Sequence, residues 1–272
     1  MYDVLARALI SISSVEGGPE WIVVDMPILV TGGTGTLGRA VVAQLREADR
    51  AHRVLSRRAG PGLVPGDLST GRGVEEAVRD TAAILHLAST PKQDLTITRT
   101  LLDAARRHGR PHLVFVSIVG VDRVPLGYYR EKLAVERLIA ESGLDWTTLR
   151  ATQFHNLLDA LFGAVARSRL LPVLAGARFQ PVDVRDVAAR LAELAVAEPA
   201  GEVLQFGGPA VRPMDELARA WLRSTGRRRP VLPLRLPGGL ARAVGAGGLT
   251  TPEHAEGAIT FEEYLDPTGA DR

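Results

Sequence analysis

The stretch that most constrains this chain is ILVTGGTGTLG, residues 28–38. A short apolar run, Pro27–Thr31, has the length and composition of a buried strand. It leads directly into glycines at positions 32, 33, 35 and 38. The segment behind them, Leu37–Ala48, carries Val41, Val42 and Leu45 on one face of a helix. Gly32, Gly35 and Gly38 therefore stand three apart at a strand-to-helix junction. Glycines at such a point serve a tight turn, a close approach of the backbone to a ligand, and close packing of helix on strand. The helix N-terminus behind them offers unpaired N–H groups and the positive end of its dipole to phosphate. The strand before and the amphipathic helix after are the context that marks a dinucleotide-binding loop. The Gly-Lys-Ser/Thr ending of a P-loop is absent. The residues expected to cradle a pyrophosphate are Gly32, Thr34, Gly35, Thr36, Leu37 and Gly38.

The remainder of the first half alternates in the same way. Strands are expected at His52–Leu55, Ala82–Leu87, His112–Ile118 and Asp145–Leu149, with a short third strand before PGDLS. Helices are expected at Val74–Arg79, Asp94–His108 and Tyr128–Glu141. Near-continuous apolar strands separated by helices imply βαβ units and a parallel sheet covered on both faces. The fold class is α/β, a doubly wound parallel sheet with helices on both faces over residues 26–150. Beyond residue 150 the pattern loosens. Helices near Phe154–Ala166, Val184–Ala197, Met214–Ser224 and Phe261–Leu265 and strands near Val203–Phe206 and Val231–Leu234 suggest a smaller C-terminal α/β lobe, residues 151–272. Residues 1–25 precede a second methionine, Met26, that stands two residues before the first strand. They are expected to lie outside the domain, as a disordered tail or an extension from a misassigned start.

The end of the second strand decides which ribose is accepted. An acid there bonds the 2′-hydroxyl of NAD, whereas arginine accommodates the 2′-phosphate of NADP. The chain reads Ser56-Arg57-Arg58, without an acid. NADP(H) is the expected cofactor, ahead of NAD(H), with Arg57 as phosphate partner and Arg58 beside it or solvated. Asp67, followed by Leu68, is placed to bond the adenine amino group or to form a turn. Ala88 and Ser89, at the end of the fourth strand, are expected to flank the adenosine ribose and pyrophosphate.

Five segments together resemble the short-chain dehydrogenase/reductase superfamily and, within it, the atypical NmrA-like NAD(P)H-binding proteins. They are VTGGTGTLG (30–38), VSIVGVD (116–122), YYREKLAVERLI (128–139), WTTLRATQFHN (146–156) and FQPVDVRDVA (179–188). The resemblance implies a Rossmann core and a C-terminal substrate lobe, but not one activity, because the family holds both reductases and non-catalytic redox sensors. It implies that Tyr128 is a general acid/base and that Lys132 lowers its pKa and bonds the nicotinamide ribose. Four residues apart, the two share a helix face, and a free tyrosine, with pKa about 10, needs such a neighbour near neutrality. The alternative is that the pair is structural. Ser117 is the candidate third catalytic member. Ile118 stands where active relatives often have a second hydroxyl, and the interval to Tyr128 is short. Phe154 is expected near the nicotinamide, and His155 either faces the substrate or packs.

Composition narrows the rest. The 272 residues carry a net charge of +2 and no cysteine. The small net charge gives no strong field for nucleic acid, and Arg227-Arg228-Arg229 reads as a solvated loop. The absence of cysteine excludes disulfides and thiolate sites and suits a cytoplasmic protein. No apolar run reaches the roughly 20 residues that span a bilayer, and the histidines lack metal-site spacing. The expectation is an NADP(H)-dependent oxidoreductase acting on a small carbonyl, enone or quinone-type acceptor, as a monomer or homodimer, without nucleic acid, membrane or metal. The alternatives are a non-catalytic NADP(H)-sensing regulator and, third, a sugar-nucleotide epimerase or dehydratase.

Overall fold

The computed structural model describes residues 7–12, 20–166 and 169–266, with side chains from residue 26 onward. Two backbone strands, β1 (Arg7–Ile12) and β2 (Glu20–Asp25), form an antiparallel hairpin in a sheet of their own. The other residues of the 1–25 segment lie outside the described ones. From Ile28 the chain enters the expected alternation: β3 (Ile28–Thr31), α1 (Thr36–Glu47), β4 (His52–Ser56), β5 (Leu63–Pro65), α2 (Val74–Val78), β6 (Ala83–His86), α3 (Asp94–Arg107), β7 (His112–Ile118), α4 (Gly127–Ala140) and β8 (Trp146–Ala151). There follow α5 (His155–Val165), β9 (Leu171–Leu174), β10 (Arg178–Phe179), α6 (Val184–Leu194), β11 (Val203–Phe206), β12 (Arg212–Pro213), α7 (Met214–Ser224), β13 (Val231–Leu234), α8 (Gly239–Gly245) and α9 (Phe261–Leu265).

Seven strands form one sheet in the order β11-β8-β7-β6-β3-β4-β5. The registers of β3 with β4 and β6, of β4 with β5, of β6 with β7 and of β8 with β11 are parallel. The strand order reverses between β3 and β6, which is where an open α/β sheet leaves a crevice outside the carboxyl ends of its strands. The Rossmann-type fold read from the sequence is the one observed.

Contacts divide the chain into two interleaved units. One holds Met1–Phe115, Arg137–Thr147 and Ala188–Glu202, and the other Val116–Glu136, Thr148–Val187 and Val203–Arg272. The first has its core where Leu29, Val30 and Ile84 of the sheet meet Val41 and Leu45 of α1 and Ile97 and Leu101 of α3, each 2% exposed or less. The second is built around Phe162, Leu171, Leu217, Trp221 and Phe261. Trp221 donates its indole N–H to Asp159 at 2.7 Å, so its one polar group is satisfied inside that core.

Candidate functional site

In the first unit, the loop between β3 and α1 lies at the switch point. Gly32 has φ +71°, a left-handed conformation, and a side chain there would come within 2.6 Å of the Ala88 backbone nitrogen. The end of β3 and the end of β6 are thus in backbone contact. Gly38 lies one turn into α1, where a Cβ would stand 2.6 Å from the Gly33 Cα and closer still to the Gly32 carbonyl oxygen. Only a glycine lets the helix start this close to the strand. The Gly35 N–H donates to the Gly32 carbonyl at 3.0 Å. Arg39 closes the loop by donating to the Thr34 carbonyl at 2.9 Å.

The start of α1 is suited to an anion. Its N-cap, Gly35, has no side chain to satisfy the helix, no acid stands in the first turn, and Thr34, Gly35 and Thr36 are exposed. Leu37 is half-buried against the loop. Free N–H groups, the positive dipole end and a cradle that any Cβ would fill are the features a pyrophosphate requires. The residues present therefore fit a dinucleotide.

Around this loop the other sequence candidates fall as follows. Arg57 and Arg58 follow β4 and are exposed. The Arg58 N–H is held by the Ser56 hydroxyl at 3.1 Å, and neither guanidinium pairs with an acid among the described residues. Asp67 accepts the Ser69 N–H on its carboxylate at 2.9 Å and the Gly71 N–H on its carbonyl at 2.8 Å. This is an Asx turn that fixes the loop after β5. Leu68 is buried beside it. Ser89 donates its hydroxyl to the Asp94 carboxylate at 2.9 Å, and that carboxylate also takes the Thr90 N–H at 2.6 Å.

A buried polar chain beneath the loop gave no signal in the sequence. The Ala88 N–H donates to the Thr31 hydroxyl at 3.3 Å, and Thr31 Oγ1 lies 2.8 Å from His86 Nδ1. His86 Nε2 lies 3.0 Å from Thr98 Oγ1, which donates to the Asp94 carbonyl at 2.7 Å. Because Thr98 spends its proton on Asp94, it accepts from Nε2–H. With Nε2 donating to Thr98 and Nδ1 facing the Thr31 hydroxyl, the ring is hydrogen-bonded on both nitrogens. Thr31, His86 and Thr98 are 0–1% exposed, and together they tie β3, β6 and α3 under the switch point.

The second unit holds Ser117, Tyr128, Lys132 and Phe154. Tyr128 and Lys132 lie on α4, the tyrosine 43% exposed and the lysine 4%. The Lys132 ammonium stands 5.9 Å from the centroid of the Tyr128 ring, within cation–π range. Helix α4 is fixed to β8 by Glu136, which is buried and receives two bonds from Arg150 at 2.7 and 3.0 Å. Tyr129, by contrast, is buried, and burial pushes its hydroxyl pKa up. Ser117 is 3% exposed and its hydroxyl has no partner among the described residues. The Gln153 side chain, which follows β8, is 6% exposed and lies against the buried Tyr129 hydroxyl. A buried polar group left unpaired costs about 1–3 kcal/mol; in this unit the Ser117 and Thr148 hydroxyls, His155 Nδ1 and Asn156 Oδ1 are so placed among the described residues, and Ser117 is the one the sequence singled out. Gln153 falls in the segment WTTLRATQFHN that carries the resemblance, but its burial is decided by its neighbours in space.

Phe154 caps α5 and is half-buried, held in a bridge with Val182. His155 packs, the second of the two roles open to it. It is 1% exposed, donates from Nε2 to the Ile259 carbonyl at 3.0 Å, and its ring lies 5.5 Å from Phe261 and 5.4 Å from Tyr264. Burial lowers its pKa.

Residues 32–195, more than half of the chain, match the family described as NAD(P)H-binding. The chain belongs to the NAD(P)H-binding family. The resemblance drawn from the five segments is borne out. Among curated relatives, the chain is 29% identical over 233 residues to a chloroplastic divinyl chlorophyllide a 8-vinyl-reductase of Zea mays, over 71% of this chain but 58% of the maize protein. It is 23% identical over 215 residues to quinone oxidoreductase 2 of Escherichia coli, covering 74% of this chain and 75% of that one. Among solved structures, the NADPH-dependent quinone oxidoreductase of Escherichia coli complexed with NADPH superposes with a TM-score of 0.74 at 22% identity, over 88% of this chain and 98% of the other. Sugar-nucleotide epimerases share the fold as well. At such identities the structural likeness speaks for the fold alone. Among the described residues, no helix is long and apolar enough to cross a membrane.

Proposed function

We propose that this protein is an NADP(H)-dependent oxidoreductase acting on a small, largely apolar carbonyl, enone or quinone-type acceptor. The observation that carries the reading is Tyr128 and Lys132 on one helix of an NAD(P)H-binding chain, the tyrosine open to solvent and the lysine buried beneath it. When bound, the nicotinamide supplies a hydride from its C4 carbon. Tyr128 gives its phenolic proton to the acceptor oxygen as the carbon–oxygen π pair becomes a lone pair and the new C–H bond forms. Lys132 favours the tyrosinate left behind by its positive charge. Ser117 and Gln153 offer polar atoms to the acceptor or the nicotinamide amide, and Phe154 offers an apolar wall.

In the cofactor half, Gly32, Thr34, Gly35, Thr36, Leu37 and Gly38 hold the pyrophosphate. Arg57 takes the 2′-phosphate, with Arg58 beside it, and the absence of an acid after β4 favours NADPH over NADH. Asp67, Leu68, Ala88 and Ser89 border the adenosine. The same absence weighs against an epimerase that retains NAD. The protein works in the cytoplasm, where NADPH is at hand. A second reading, a nucleotide-sensing regulator without turnover, is favoured by Ser117, whose hydroxyl is sealed at 3% exposure with Ile118 in the next position.

The deciding experiment is titration with NADPH and NADH, followed by NADPH consumption against a panel of small quinones and enones. Consumption that Tyr128→Phe removes while NADPH affinity is retained supports the reductase. Tight binding without consumption of any acceptor transfers the case to the sensor.

A further inference from the structure

Net charge conceals an asymmetry in the second unit. Between Glu216 and Glu253 the chain carries seven arginines, at 219, 223, 227, 228, 229, 235 and 242, and no acid. Of these, Arg219 pairs with Asp215 at 2.7 Å, and Arg227 lies over the Trp221 ring at 5.4 Å. Arg223, Arg228, Arg229, Arg235 and Arg242 form no ion pair with a described residue and are exposed. Five of the seven, Arg219, Arg223, Arg227, Arg228 and Arg229, line one open cavity of about 590 Å³ at the end of α7. Arginines at a helix C-terminus complement its dipole, but one or two suffice for that.

Val231 closes the same cavity and begins β13. This strand pairs in parallel with β9 in a two-stranded sheet, Leu232 opposite Pro172 and Leu234 opposite Leu174. Alternation turns Leu171 and Val173 into the core, where they are 0% and 3% exposed. It turns Leu232 and Leu234 outward, where they are 42% and 39% exposed. Leu236 and Leu240 continue the run at 59% and 42%. Four large apolar side chains thus follow directly on the arginine cavity and are interleaved with Arg235.

We propose that this face docks on an anionic phospholipid surface. The arginines take lipid phosphates, for which the guanidinium fork is suited, and the leucines enter the boundary between headgroups and acyl chains. A nucleic acid would use the arginines but gain nothing from four exposed leucines. A second copy of this chain would bring, across a two-fold axis, an acid-free basic patch against itself. An anionic bilayer satisfies both chemistries. No membrane-spanning helix is required. If the protein reduces quinone-type acceptors, as proposed above, docking places it where such acceptors partition. That clause rests on the reductase reading, whereas the docking itself does not.

The test is flotation of the full chain with vesicles of phosphatidylcholine and with vesicles of phosphatidylcholine mixed with phosphatidylglycerol, in the absence of any acceptor. The expected result is capture by the anionic vesicles only, released by salt. The double variant Arg228→Gln/Arg229→Gln is expected to weaken partition by on the order of tenfold or more. Leu232→Ser/Leu236→Ser is expected to weaken it at low salt as well, and NADPH affinity reports that both variants are folded. No capture, or equal capture by both vesicle types, overturns the proposal without help from any variant. So does binding to a DNA duplex that the leucine substitutions leave untouched, which indicates a polyanion site. A dimer that the leucine substitutions dissociate, with no vesicle binding, assigns the face to a second copy. Vesicle binding without turnover leaves docking standing and counts against the reductase alone.

Discussion

Single residues carry most of the case for the nucleotide. Gly38 has backbone on two sides of the place a side chain would occupy, so Gly38→Val is expected to force α1 away from β3. NADPH affinity should fall by at least about tenfold, and the melting temperature should drop with it; unchanged affinity would show that the loop does not hold the pyrophosphate. Arg57 acts at the other end of the ligand. Arg57→Ala is expected to weaken NADPH by roughly 1.5–3 kcal/mol, the scale of a hydrogen bond to a charged group, and to leave NADH within about twofold. Equal losses for both nucleotides would place Arg57 elsewhere. Asp67 shows the limit of such residue-level reading. Its type and position were legible, but the Asx turn with Ser69 leaves it a structural duty in addition to any contact with adenine.

At the scale of elements, the sequence was most legible where the period was strong. His112–Ile118, Met214–Ser224, Val231–Leu234 and Phe261–Leu265 were read with the boundaries observed. The core-facing residues of α1 and α3 follow from their 3.6-residue spacing. Strand β9 was not legible, because Pro172 sits inside LPVL and proline removes a ladder donor. A two-stranded sheet with open edges tolerates it, and its partner β13 lies about sixty residues away in sequence, beyond any local signal. The junction of α5 and α9 was equally hidden. His155 there donates Nε2–H to Ile259, its Nδ1 is buried without a partner, and Asp183, Asp186 and Arg185 are the charges around it. Its folded pKa lies below the ordinary 6.5. The unfolded chain therefore binds the extra proton more readily, so this contribution to stability is complete above about pH 6.5 and declines as pH falls through that value. Thermal melts across this range are expected to lose stability on the acid side, with part of the slope removed in His155→Gln. A variant with an unaltered slope would assign the acid limb to other groups, such as the buried His112.

For the whole molecule, binding and stability are linked. A ligand held by the native chain alone, at a hundred times its dissociation constant, stabilises by about 2.7 kcal/mol, which for a chain of this size is roughly 5–10 °C in melting temperature. NADPH is expected to produce that shift and NADH at equal concentration a smaller one. No shift with either nucleotide would remove the foundation of the proposed function. Charge is also a property that only the whole molecule resolves. A net +2 suggests a neutral surface, while the acid-free stretch from residue 217 to 252 carries seven arginines, and its basic cavity exists only because the end of α7 and the start of β13 bring five of them together.

The sequence by itself determined the α/β alternation, the strand-to-helix glycine loop, the missing acid after β4 and the Tyr128–Lys132 spacing. All of these are local: each depends on residues a few positions apart, where periodicity and backbone freedom are set by side-chain type alone. Only the tertiary structure decided which polar groups are sealed from water. It joined Thr31, His86, Thr98 and Asp94 into one chain, sealed the Ser117 hydroxyl without a partner among the described residues, turned His155 into an aromatic cluster and faced Leu232 and Leu234 outward. Those outcomes depend on burial and pairing between residues tens of positions apart, and a side chain's burial is a property of its neighbours in space, which the order of residues along the chain does not state.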